Sequence, residues 1–162
     1  EGEATGFRKL EYGLFKEKTT AGYEEVAEEL LTNVQKLSME VESIQLDGQQ
    51  LVNDALSMLD EVATTKLTDE ETSYAFAHIY DVKANTEAVE ELVKIFMSRA
   101  DTQKAANVTE KLKVLNDTIA YYEVGKEDYV NYSYFTNKQK EELIAAVAAV
   151  RDALKEMNSS LK

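Results

Sequence analysis

Cysteine is missing from the 162-residue sequence. That removes disulfides, thiolate metal sites and cysteine nucleophiles, but leaves the compartment open, because many exported bacterial proteins manage without disulfides. Proline is missing too, and glycine occurs only six times. A chain with so little of the punctuation that strands and hairpins need reads as all-helical before any periodicity is considered. There is no long hydrophobic run: the longest, Leu143–Val150, is far too short to span a bilayer. Basic residues are scarce beside acidic ones, 18 against 31, and the net charge of -13 repels nucleic acid phosphates and anionic lipid, so no nucleic-acid function is expected. Histidine occurs once, as His78. A ferritin-like di-iron site needs a Glu-x-x-His pair on each of two helices, and Ala75 stands three residues before His78. Triad hydrolysis would rest on His78 alone, with nothing marking a partner serine. A nucleophile elbow, a phosphate-binding glycine loop, an HExxH pair and an EF-hand loop are likewise lacking.

What is present is a globular composition, 44% hydrophobic and 30% charged, in a length suited to one domain that buries roughly two thirds of its unfolded surface. The chain opens at Glu1 without an initiator methionine, so an excised chain with its targeting information removed is expected. Apolar residues recur at three- and four-residue steps through Tyr23, Val26, Ala27, Leu30, Leu31, Val34, Leu37, Val41 and Ile44, which predicts an amphipathic helix. Asp47 is placed to cap the next helix, with Gln50 reaching back, before Leu51, Val52, Ala55, Leu56, Leu59 and Val62 form its buried face. Thr68 to Glu71 repeats the device, and a third long helix is expected from Tyr74 to Met97. Asp101 or Thr102 opens a fourth, with the stripe Ala105, Val108, Leu112, Leu115, Ile119 and Tyr122. The aromatic stretch Tyr129–Phe135 reads as an extended connection over one end of the bundle. Thr136 and Gln139 then form a capping box for a last helix with Leu143, Val147, Val150, Leu154, Met157 and Leu161 on one face. A leading helix from about Thr5 to Glu17 precedes this set. The expectation is therefore an all-α, up-and-down bundle over residues 21–162, with residues 1–20 as a separate leading helix.

Polar residues on apolar faces carry the candidate chemistry. On the third long helix the stripe Tyr74, His78, Asp81, Asn85, Ala88, Leu92 and Ile95 holds three polar positions in succession. Either these form an internal hydrogen-bond network that fixes register, or Asp81, with or without His78, faces a ligand cleft. Glu11, beside Phe7 and Leu14, is either paired with Arg8 one turn away or an oxygen ligand for a hard cation. The tyrosines at 121, 122, 129, 132 and 134 read as a bundle-end cluster with buried rings and wet hydroxyls, against a carbohydrate platform or phenolate iron ligands. Glu24, Glu25, Glu28 and Glu29 are solvated helix surface, and the four Asn-x-Ser/Thr sequons are taken as chance.

The run Thr5-Gly-Phe-Arg-Lys-Leu-Glu-Tyr-Gly-Leu-Phe15 resembles the signature of the imelysin-like proteins, specifically the EfeO/EfeM branch, which reads approximately T-G-F-H-x-x-E-x-x-L-W. Leu59 to Glu71 is similar to that branch's L-x-E-V-x-x-x-K-I-x-G-E-E segment. Tyr74 with Ile79-Tyr-Asp-Val-Lys-Ala-Asn85 resembles its Y-S-H-x-D-L-W-D-F-x-A-N segment, and Tyr129 to Leu143 follows its closing pattern. The resemblance covers essentially the whole chain. It implies half of a double helical bundle, with the upstream half of the family domain absent. It also implies an extracytoplasmic, lipid-anchored or periplasmic component of an iron uptake system, working beside a haem peroxidase and passing iron to a membrane iron permease. The branch's metal motif is H-x-x-E: Glu11 matches its glutamate, and Arg8 stands in place of its histidine. An arginine cannot ligate a cation and brings its own charge. Phe76 replaces a second histidine and His78 an aspartate, while Asp81 and Asn85 are retained. The resemblance thus implies iron at Glu11, Asp81 and His78, in a non-enzymatic binding protein whose membrane attachment is a lipid anchor outside this chain. The rival readings are an imelysin-like metallopeptidase and a surface binding module without metal.

Overall fold

A computed structural model describes residues 4–45, 47–68, 74–126 and 128–161. They are overwhelmingly helical, as the absence of proline predicts, and fall into two compact units, Glu1–Leu46 with Ser73–Ala75 and Asp47–Thr72 with Phe76–Lys162.

The second unit is a bundle of α3 (Gly48–Glu61), α4 (His78–Phe96), α5 (Thr102–Tyr121) and α6 (Asn137–Asn158), with α3 running on into a wider π turn at Val62–Lys66. Three of its helix starts follow from caps visible in the sequence. The Asp47 carboxylate accepts from Gln49 N–H at 2.7 Å, and Asp101 accepts from Gln103 and Lys104 N–H at 3.0 and 3.1 Å. Thr136 and Gln139 form the reciprocal box, Gln139 N–H donating to Thr136 Oγ1 and Thr136 N–H donating to Gln139 Oε1. Each cap stabilises its helix by about 1 kcal/mol. Gln50 does not complete a box at Asp47, its side-chain amide donating instead to Asp54. The box expected at Thr68 reaches into residues 69–71, outside the described residues.

All six stripe positions expected for α5 are buried, the last, Tyr122, just past its end, and on α6 Leu143, Val147, Val150, Leu154 and Met157 are buried. Each such side chain contributes roughly 1.5 to 3 kcal/mol relative to exposure, which makes this interior the main source of stability. Polar contacts add register: Arg151 Nη1 on α6 donates to Asp60 Oδ1 on α3 at 2.7 Å, and Gln49 donates to Asn158 at 2.9 Å. Gly48, the first residue of α3, lies under the Phe96 ring, where a Cβ would come within 2.9 Å of a ring carbon.

α4 departs from expectation. It begins at His78 rather than Tyr74, and its buried face is Ile79, Val82, Thr86, Val89, Val93 and Phe96, flanked by His78 and Leu92. The expected stripe was displaced by one residue, about 100° around the helix. Asp81 and Ala88 are therefore exposed, Ile95 is 64% exposed and Asn85 half-buried. Both stripes have helical spacing, and the observed one wins because it gathers the β-branched and aromatic bulk.

The aromatic connection is not simply extended. A short antiparallel hairpin, β1 (Glu123–Gly125) with β2 (Asp128–Tyr129), leads into it, and it holds a 3-10 turn at Tyr132–Tyr134. Tyr132 is buried with its hydroxyl donating to the Leu67 carbonyl at 2.7 Å, its ring stacks on His78 at 4.2 Å, and Lys140 Nζ sits 5.1 Å from its centroid. Tyr121 and Tyr134 are exposed.

In the first unit α1 (Gly6–Glu11) runs into a π turn at Tyr12–Glu17 that ends on Lys18 in the left-handed region, φ 57. α2 (Glu24–Val41) follows. Gly13 is buried beneath the Tyr23 ring, where an added Cβ would lie 2.5 Å from Cζ, and the Tyr23 hydroxyl donates to Glu17 at 2.7 Å. The stripe expected to be buried on α2 is exposed through Leu31, Val34, Leu37 and Val41, and no α2 residue is buried. Periodicity identified an amphipathic helix correctly but carries no information on what covers its face.

Candidate metal site

Glu11 is the last residue of α1 and half-buried. Its Oε1 accepts from the backbone N–H of Tyr74 at 2.9 Å and of Ala75 at 2.8 Å. Adjacent amides pointing at one oxygen make a small anion-binding concavity. The Tyr12 ring meets the Tyr74 ring edge-on at 5.1 Å beside this contact. Arg8, one turn earlier, is exposed, so the carboxylate is engaged by main-chain donors where the sequence suggested a guanidinium. No signal in the sequence marks Tyr74 and Ala75 as these partners, which lie 63 and 64 residues away.

His78 and Asp81 occupy the first turn of α4, in the other unit. His78 is buried against Tyr132, with the Phe76 ring 6.5 Å away, whereas Asp81 is open to solvent. Within each unit the candidates are thus one carboxylate on α1 and a histidine–aspartate pair on α4. Among the described residues no group of three or more His, Asp or Glu side chains comes together to hold a metal ion. The oxygen atoms of Glu11 and Asp81 are hard donors, suited to Fe(III), Ca(II) or Mn(II) over soft cations, and His78 adds at most one nitrogen.

His78, Asp81 and Asn85 do not share the interior as an internal polar network would need, since Asp81 is exposed; a partly exposed set of polar contacts lies beside them on α4. Lys83 Nζ lies 2.9 Å from Glu87, and Asn116 of α5 donates to Glu90 at 2.5 Å while accepting from Lys83 at 3.5 Å. The hydrogen bond to Glu87 raises the Lys83 pKa above its ordinary value, keeping it charged. Among the described residues no helix is long and apolar enough to cross a membrane.

The imelysin family model, which carries a peptidase designation, matches residues 1–160. Iron uptake system component EfeM of Pseudomonas syringae pv. syringae is 26% identical over 160 residues, covering 97% of this chain and 56% of that relative. Iron uptake system component EfeO of Escherichia coli strain K12 and that of Shigella flexneri are each 27% identical, covering 97% of this chain and 42% of theirs. The chain therefore spans about half the length of the curated relatives it matches.

Proposed function

Because the chain belongs to the imelysin family, we propose that it is the iron-binding part of an extracytoplasmic iron uptake component, with iron as cargo for a membrane permease and a haem peroxidase as co-worker. The observation that carries this reading is the match over 97% of the chain to relatives named for iron uptake. The chemistry supports it: Glu11 and Asp81 offer hard oxygen donors, His78 is the candidate nitrogen, and a net charge of -13 concentrates cations near the surface. Attachment to the membrane is through a lipid anchor outside residues 1–162. Glu11 in the one unit and the His78–Asp81 pair in the other are each candidate ligands by themselves, and the upstream half that this reading assigns to the family domain supplies further carboxylates. Titration of the chain, alone and with that half, with Fe(III), Fe(II), Zn(II) and Ca(II) tests the proposal. Iron binding that tightens when the upstream half is present supports it, and indifference to iron in both forms refutes it.

The peptidase designation of the family model supports a second reading, a metal-dependent peptidase. That chemistry needs an open coordination position and a general base. Cleavage of a casein panel that disappears in Glu11→Gln would replace the binding reading with this one.

A further inference from the structure

Glu11 is tied to the main chain by the same oxygen that would face a cation. A carboxylate oxygen has two lone-pair directions, and the amides of Tyr74 and Ala75, at 2.9 and 2.8 Å, take both on Oε1. Hydrogen bonds to an ionised acceptor are about twice as strong as those between neutral groups. The edge-on contact of Tyr12 with Tyr74 adds an apolar clasp beside the polar one. The next residue along the chain, Phe76, holds φ 53, a left-handed conformation that a bulky side chain keeps only when its surroundings impose it. The Phe76 carbonyl accepts from Tyr132 N–H at 3.1 Å. Within its unit the Tyr74–Ala75 stretch is thus held by two hydrogen bonds from its main chain to the Glu11 carboxylate.

We propose that Glu11 is a latch on the Tyr74–Ala75 backbone, and that a hard cation chelated by both of its oxygens competes with these amides for Oε1, so that capture loosens the segment. The competition rests on the iron-binding reading given above, whereas the anchoring does not. A cation chelated by both carboxylate oxygens takes one lone pair of Oε1 and so displaces one of the two amides.

Hydrogen exchange of the Tyr74 and Ala75 amides tests both parts. Without metal, Glu11→Ala should speed their exchange about tenfold or more, while Glu11→Gln, whose amide oxygen still accepts, should have a smaller effect. Unchanged exchange in Glu11→Ala overturns the latch. In the protein with its upstream half, gallium(III), a diamagnetic stand-in for Fe(III), should speed exchange at one or both of these amides. Calorimetric binding of gallium with these amides unmoved overturns the competition and leaves the iron reading intact. No binding of gallium or iron, together with amides released in Glu11→Ala, refutes the iron reading and upholds the anchor.

Discussion

The Tyr132 hydroxyl donates to the Leu67 carbonyl across 65 residues of sequence, at 2.7 Å, while the same ring stacks on His78. Both groups are buried, so the hydroxyl satisfies a carbonyl at the end of the α3 π turn where water is excluded. Tyr132→Phe keeps the ring and removes the donor. It should cost about 1 to 3 kcal/mol, the penalty of a buried polar group losing its partner. Chemical denaturation checks this, and a neutral result would mean that another donor replaces the hydroxyl.

A second prediction separates the two units. Every buried hydrophobic residue described lies between Val52 and Met157, and Leu115 is 0% exposed. Leu115→Ala should therefore cost about 2 to 5 kcal/mol through the cavity it leaves. Leu31→Ala on α2, at a site 58% exposed, should change stability by no more than about 0.5 kcal/mol. By the same reasoning residues 47–162 should melt cooperatively on their own. Thermal melts of the two variants and the shortened chain decide the matter.

The Tyr23–Glu17 pair predicts an alkaline signature. The hydrogen bond to the Glu17 carboxylate, assisted by partial burial and by the Glu17 charge, pushes the Tyr23 pKa up from 10.0 to about 12. A group whose folded pKa is raised contributes stability that is complete below its unfolded pKa and is lost as pH rises through the folded value. The contribution should thus be intact below about pH 10 and vanish toward pH 12. Glu17→Gln should bring the Tyr23 titration back toward 10.0, as followed by tyrosinate absorbance or NMR. Gly13→Ala should do the same by pushing the ring off its seat, since the new Cβ would lie 2.5 Å from Cζ.

The last prediction concerns Arg8. Replacing it with histidine removes a repelling charge and supplies a neutral nitrogen one turn from Glu11. Iron affinity of the protein with its upstream half should rise in Arg8→His, and Glu11→Gln should cancel the rise. Calorimetry over the double-mutant cycle checks this, because an additive cycle with no change in affinity removes Glu11 from the ligand set.

Local rules made much of the fold legible. Asp47, Asp101 and Thr136 sit where helix caps are needed, and the α5 and α6 stripes have single unambiguous apolar faces. α4 is ambiguous in the sequence because its apolar residues occupy more than one face, and spacing alone points Asp81 to the interior where Val82 lies. Of the candidate ligands, His78 is buried as its expected stripe has it, although that stripe is displaced by one residue. The engagement of Glu11 by Tyr74 and Ala75 did not, since main-chain donors carry no side-chain identity and any residues at those positions would offer the same N–H groups.

The seat of Gly48 under the Phe96 ring ties two positions together over evolutionary time. Phe96 is 5% exposed and its ring has little room to retreat, so a methyl group at position 48 would meet a ring carbon at 2.9 Å. A lineage that keeps phenylalanine at 96 is held to glycine at 48, and a lineage that gains a side chain at 48 must first shrink the ring. The pair should covary, leaving a record of the contact between the start of α3 and the end of α4 in any sufficiently deep set of descendants.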